Sequence, residues 1–182
     1  MKRDNYSEMV KNNRISKDEF FRTNDHSPLP QELLPDFKGL KYYPPDPSYR
    51  FRIQIKEFPK KESLRMQTTT GDTQEHYLFG TVSFLIEGKS HELQVYTNPR
   101  NLDYFFVPFT DLTSSTETYG AGRYLELEHD SEKGSGWFIL DFNLAYSPYC
   151  AYNDEYSCPI PPKANRLSVA IRVGEKMFRE EH

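Results

Sequence analysis

The chain has 182 residues, and its 13 Tyr and 13 Phe lift the aromatic share to 15%, while the net charge is -4 with 23 basic residues. Interspersed charge without a clustered basic excess argues against a nucleic-acid binder, and so many aromatic residues exclude a disordered chain. This length accommodates one domain with a sizeable core and a short appendage.

The N-terminus, MKRDNYSEMVKNNR, has no apolar run suited to a signal peptide, and no later stretch is long and apolar enough to span a bilayer. A soluble, cytoplasmic protein is the expectation. Ser16-Lys17-Asp18-Glu19 matches a capping box, so a helix is predicted to start there, with Met9 and Val10 anchoring an earlier helical element. Ser27-Pro28-Leu29-Pro30 stops it, since proline lacks the amide hydrogen. Residues 1–30 therefore read as a helical arm that packs on the body, residues 31–182, through Phe20, Phe21 and Leu29.

From Tyr49 the period changes to two. Phe51, Ile53 and Ile55 alternate with Arg50, Arg52, Gln54 and Lys56, the pattern of a strand with one buried face. Lys60-Lys61 reads as solvated surface. Tyr77 to Ile86, His91 to Tyr96, Tyr104 to Phe109, Arg123 to Glu128, and Trp137 to Phe142 read as further strands. Leu167, Val169, Ile171 and Val173 alternate cleanly in an expected last strand. Close strands joined by hairpin-length turns predict a mainly β protein, an antiparallel barrel or curved sandwich, preceded by one or two helices.

Two polar or aromatic segments interrupt the strand rhythm. Thr110 to Arg123 carries hydroxyls, two carboxylates and the Gly120-Ala121-Gly122 pair, whose glycines allow close backbone approach but make no dinucleotide fingerprint. Asp141 to Lys176 crowds Tyr146, Tyr149, Tyr152, Tyr156, Cys150, Cys158 and several prolines into a loop, and ordering such a loop suggests a built site.

These blocks carry a resemblance that runs nearly end to end. SPL at Ser27 to Leu29, FKGLKYY at Phe37 to Tyr43, FVPFTD at Phe106 to Asp111, ETYGAGRYL at Glu117 to Leu125, the block from Asp141 to Pro162, NRL at Asn165 to Leu167 and GEK at Gly174 to Lys176 are similar to the hallmarks of the bacterial and archaeal DUF1684 family, a domain of unknown function. The resemblance implies no chemistry. Many of its members look exported or lipid-anchored, and this chain shows no such leader.

Several residues are candidates for a site. The Arg123 guanidinium fork can clamp a carboxylate or phosphate at two points, or form a structural pair with Glu117 or Asp141. Asp141 and Asn143 can orient a ligand or cap the loop that follows. Cys158 is a nucleophile if a base lowers its pKa, or a small apolar filler; Cys150 is the weaker candidate. The tyrosines wall a pocket or plug one end of the fold. The five histidines show no metal-binding spacing, and His91 reads as a core residue. Neither a metal nor a cofactor is expected.

The expected function is binding of a small polar or anionic molecule by Glu117, Tyr119, Arg123, Asp141, Asn143, Tyr146, Tyr152 and Asn153. An enzyme, such as a small-molecule hydrolase with Glu117 or Asp141 as general base and Cys158 as nucleophile, is the second reading. A purely structural role is the third. Arg123 and Asp141, separated by one hairpin, are expected on neighbouring strands with their side chains on one face.

Overall fold

The computed structural model describes residues 3–179. Helix α1 spans Arg3–Thr23. Tyr6, Val10 and Phe21 are buried and Arg14 and Lys17 half-buried, a stripe at spacings of three and four that faces the body. The helix is one element, not two. Ser16 lies within it, exposed, because the amides of the residues after it already pair along the helix and leave a capping box nothing to cap. Ser27 donates its hydroxyl to the Phe21 carbonyl (2.8 Å), folding the proline segment back on the helix end.

After two 3-10 turns come β1 (Arg50–Ile53), β2 (Lys56–Gln67), β3 (Thr73–Ile86), β4 (Lys89–Asn98), β5 (Asn101–Phe109), β6 (Arg123–Glu126), β7 (Glu128–His129) and β8 (Phe138–Asp141). All named strands pair antiparallel, in a five-stranded sheet ordered β2-β3-β4-β5-β6 and a three-stranded sheet ordered β1-β8-β7. The tight β3–β4 hairpin places Glu87 (φ 52°) and Gly88 (φ 76°) both at positive φ, the turn geometry that follows the strand twist. Ile53, Phe138 and Leu140 of the smaller sheet pack against Val82, Phe84, Val95, Val107 and Leu125 of the larger one. The sheets share no strand among the described residues, so this is a curved sandwich with open edges, not a closed barrel. No described helix is long and apolar enough to cross a membrane.

Three sequence expectations need correction. Strand β2, KEFPKKESLRMQ, was hidden by its charges and proline, which suit an edge strand that pairs on one side only. Arg123 and Asp141 sit in different sheets, on β6 and β8. Residues 167–173 keep their alternating burial but form no strand. Some of the backbone groups there are held by the parallel bridge between Thr110 and Arg166 and by Leu112 N–H donating to Val169 O (3.2 Å). Others are held by the Arg123 side chain.

Candidate functional site

Arg123 begins β6 with its side chain turned into the molecule, 1% exposed. Its guanidinium donates to the carbonyls of Ile171 (2.8 Å), Val173 (2.6 Å) and Glu175 (3.2 Å) and to Asp111 Oδ2 (2.6 Å), and it lies over the Phe109 ring (5.3 Å). Arg123 thus does for the C-terminal segment what a neighbouring strand would do. Gly122, at φ +100°, lets this corner close: a Cβ there would meet Phe109 O at 2.6 Å and the Pro161 ring at 2.8 Å. The close approach foreseen for the glycine pair is therefore made by the protein's own backbone.

The other nominated residues are also held by named partners. Glu117 receives Arg172 through Nε (3.0 Å) and Nη2 (2.8 Å), and Tyr43 OH (2.8 Å); the Arg172 hydrogen bonds first, then Tyr43, hold its carboxyl below the usual range. Buried Asp141 accepts from Tyr6 OH (2.8 Å) and from the Asn143 N–H and side-chain amide (3.0 Å each), with Arg50 at 3.5 Å. Asn143 in turn binds both the N–H and the carbonyl of Asp46. Asn153 caps a turn by accepting from Glu155 N–H (3.0 Å). Tyr152, 1% exposed, stacks edge-on against Phe21 (4.8 Å) and donates to Glu175.

The cavity lies on the outer face of the larger sheet, roofed by α1 and by residues 144–159, and has a volume of about 680 Å³. Alternation along β5 and β6 builds its floor. Phe105, Val107, Phe109 and Leu125 point into the sandwich, so Tyr104, Phe106, Tyr124 and Glu126 point the other way. Phe106 lies opposite Glu126 in the register and meets the Tyr124 ring edge-on at 4.8 Å. Glu126 Oε1 accepts from Tyr104 OH (2.6 Å) and from Tyr146 OH (2.7 Å), joining floor to roof. Burial, reinforced by Glu126, pushes both phenols up, so both remain donors.

His76 of β3 completes the wall. Its ring stacks on Phe106 (5.6 Å), and it is 6% exposed, yet neither imidazole nitrogen has a hydrogen-bond partner. Burial lowers its pKa, keeping the ring neutral. Among the described residues the buried histidine is therefore His76, while His91 is only half-buried against Phe84. Lys17, the one basic side chain lining the cavity among the described residues, is already paired with Glu175 Oε2 (2.7 Å) and lies over the Tyr146 ring (5.0 Å).

Of the nominated residues, Tyr146, Tyr149, Tyr156 and Cys158 line this cavity, whereas Glu117, Tyr119, Arg123, Asp141, Asn143, Tyr152 and Asn153 do not. Tyr119 lies just behind the wall, its hydroxyl donating to Cys150 Sγ (3.6 Å). His76, Tyr104, Tyr124 and Glu126 were missed. Their signal was present in the outward phase of the strands, Tyr104-x-Phe106 and Tyr124-x-Glu126, but the aliphatic phase drew the reading inward. Among the described residues no group of three or more His, Cys, Asp or Glu is gathered closely enough to hold a metal ion.

Fold and cavity together define a small curved β-sandwich domain with an aromatic cleft on the outer face of its larger sheet. Residues 35–176 match the family described as a protein of unknown function (DUF1684), and the chain belongs to that family. It is also similar to an uncharacterised protein of Haloarcula marismortui whose solution NMR structure is known, with 39% identity, a TM-score of 0.72 and 95% of each chain covered. No curated protein matches the chain.

Proposed function

We propose that the protein binds a small, flat, polar molecule in the cleft between α1 and the outer sheet face. The observation that carries this reading is the Tyr104–Glu126–Tyr146 hydrogen-bonded cluster beside the partnerless, buried imidazole of His76. Leaving two buried ring nitrogens unsatisfied costs free energy, which a ligand with a matching donor or acceptor recovers. Phe106, Tyr124 and Tyr146 supply apolar ring faces for a planar ligand. Glu126 and Glu128 line the cleft while Lys17 is engaged by Glu175, so a neutral or cationic ligand fits better than an anion.

Binding is favoured over hydrolysis because the three catalytic candidates are poorly equipped for it. Glu117 is a salt-bridged carboxylate of lowered pKa, Asp141 is consumed by three hydrogen-bond donors and the Arg50 charge, and the Cys158 thiol is pushed up, first by its hydrogen bond to Cys150 and then by burial. The same reading gives the protein no nucleic-acid or membrane partner. It keeps the expectation of a cytoplasmic protein, in whose reducing environment Cys150 and Cys158 stay free thiols.

The test is to denature protein purified from cells and identify any released small molecule by mass spectrometry, then follow thermal stabilisation by that molecule in wild type and Glu126→Gln. The reading predicts a retained planar compound whose stabilising effect is reduced in the variant. A protein that releases nothing, and whose melting is unmoved by a library of planar heterocycles, defeats it. An anionic ligand displaced by Lys17→Ala, with Glu126→Gln unaffected, would move recognition to the α1 side of the cleft.

A further inference from the structure

We propose that Cys150 and Cys158 form a reactive dithiol that a peroxide oxidises to an intramolecular disulfide in the wall of the cleft. Both cysteines are free and buried, 5% and 7% exposed. The Cys150 N–H points at Cys158 Sγ (3.3 Å), which puts that sulfur within one residue's span of Cys150's own thiol. Both cysteines belong to one packed cluster with Met66, Phe106 and Tyr124.

The surrounding backbone holds this encounter in place. Cys150 sits in a 3-10 turn, Tyr149–Ala151, that follows Pro148. Cys158 is followed by Pro159, and its strand-like segment is fastened beyond the end of β2. There Thr69 N–H donates to Cys158 O (3.0 Å), Cys158 N–H donates to Thr69 Oγ1 (3.2 Å) and Ile160 N–H donates to Gln67 O (2.8 Å). A structural filler needs only one small apolar side chain at such a place; two sulfurs meeting between two prolines make a pair.

The environment assigns the two thiols different roles. Tyr119 OH donates to Cys150 Sγ (3.6 Å). The hydrogen bond from Cys158 does most to push the Cys150 thiol below its ordinary value, against the effect of burial, while Cys158 is pushed up. With the Tyr119 hydroxyl aimed at its sulfur to hold a thiolate, Cys150 is assigned as the attacking thiolate, and Cys158, in the cleft wall, as the resolving thiol. Cys158 lines the cleft, which gives a peroxide the size of a water or two a route to the pair.

The chemistry closes without any further reagent. Cys150 thiolate attacks one oxygen of hydrogen peroxide, breaking the O–O bond to give a sulfenic acid and hydroxide, which takes up the proton Cys150 had released. Cys158 sulfur then attacks the sulfenic sulfur, the S–O bond breaks, and the departing oxygen leaves as water with the Cys158 proton. Two thiols are oxidised by two electrons, and one peroxide is reduced to two waters.

The experiment exposes the intact protein to hydrogen peroxide, blocks remaining thiols with an alkylating reagent and weighs it. Wild type should lose two hydrogen masses, resist alkylation, yield one peptide cross-linked between positions 150 and 158, and revert with dithiothreitol. Cys158→Ala should trap a sulfenic acid on Cys150 that dimedone labels, whereas Cys150→Ala should give no dimedone adduct at Cys158. Two thiols still alkylatable after peroxide, direct passage to sulfinic acid, or dimers linked between chains would overturn the proposal. The wild-type measurement decides it even where a variant fails to fold.

Discussion

The Arg123 guanidinium meets the Asp111 carboxylate at 2.6 Å with both side chains sealed from water, 1% and 0% exposed. The same guanidinium holds the carbonyls of Ile171, Val173 and Glu175, so one side chain ties the start of β6 to the segment that closes the fold. Arg123→Ala leaves the buried Asp111 carboxylate without its counter-charge, held only by Thr113, and three carbonyls without donors, and should lose about 3–5 kcal/mol. Arg123→Lys should recover only part of this, because a compact ammonium cannot serve four acceptors spread around a planar fork. Urea unfolding of both variants without ligand checks this. Near-equal midpoints for wild type and Arg123→Ala would instead return Arg123 to ligand binding.

His76 ties stability to pH. Burial lowers its folded pKa below the ordinary 6.5, so the unfolded state binds more protons as pH falls through that value. Its contribution is fully present above about pH 6.5 and declines below it, levelling off once the folded ring also protonates. His76→Phe, which keeps the stack on Phe106 without a titrating group, should flatten the stability profile between pH 7 and 5, judged from denaturant midpoints across that range. A variant profile as steep as wild type would place the acid sensitivity elsewhere.

The strand rhythm made most of the sandwich legible. Phe51-x-Ile53 and Leu93-x-Val95 became strand positions with Ile53, Leu93 and Val95 in the core, as alternation requires. The rhythm misled where a strand-like burial pattern had side-chain partners for its backbone, since sequence period reports burial and not who accepts the hydrogen bonds. Leu167, Ile171 and Val173 are that case, held in part by Arg123. The cleft was legible only in part. Tyr146 and Cys158 stood out for their unusual loop, but His76 and Glu126 look ordinary until β3, β5 and β6 are placed side by side, which is long-range information.

Tyr152 and Glu175 form a second buried polar link. Glu175 is 0% exposed and is held by Tyr152 OH and by Lys17 of α1, so the loop, the C-terminal segment and the helix converge on one carboxylate. Tyr152→Phe keeps the ring against Phe21 but removes a donor from a buried acceptor, and should lose about 1–3 kcal/mol. Chemical denaturation reads this directly. A loss within measurement error would mean that water or Lys17 alone satisfies Glu175.

Phe21 makes α1 part of the cleft. It is 1% exposed, packs on Tyr152 (4.8 Å) and Phe37 (6.2 Å), and lines the cleft together with Phe20. Phe21→Ala should lose about 3–5 kcal/mol through lost contacts and the cavity left behind. The loss should be felt first as release of the helix, because the sandwich core between the sheets does not contain Phe21. Hydrogen exchange should therefore speed up at α1 amides well before β3 and β4 amides in the variant. Any ligand of the cleft should lose affinity along with the helix, since Lys17, Phe20 and Phe21 leave its wall together. Uniform acceleration across α1 and the sheet would show that the helix and sandwich open as one cooperative unit, and the cleft would then have no separately releasable wall.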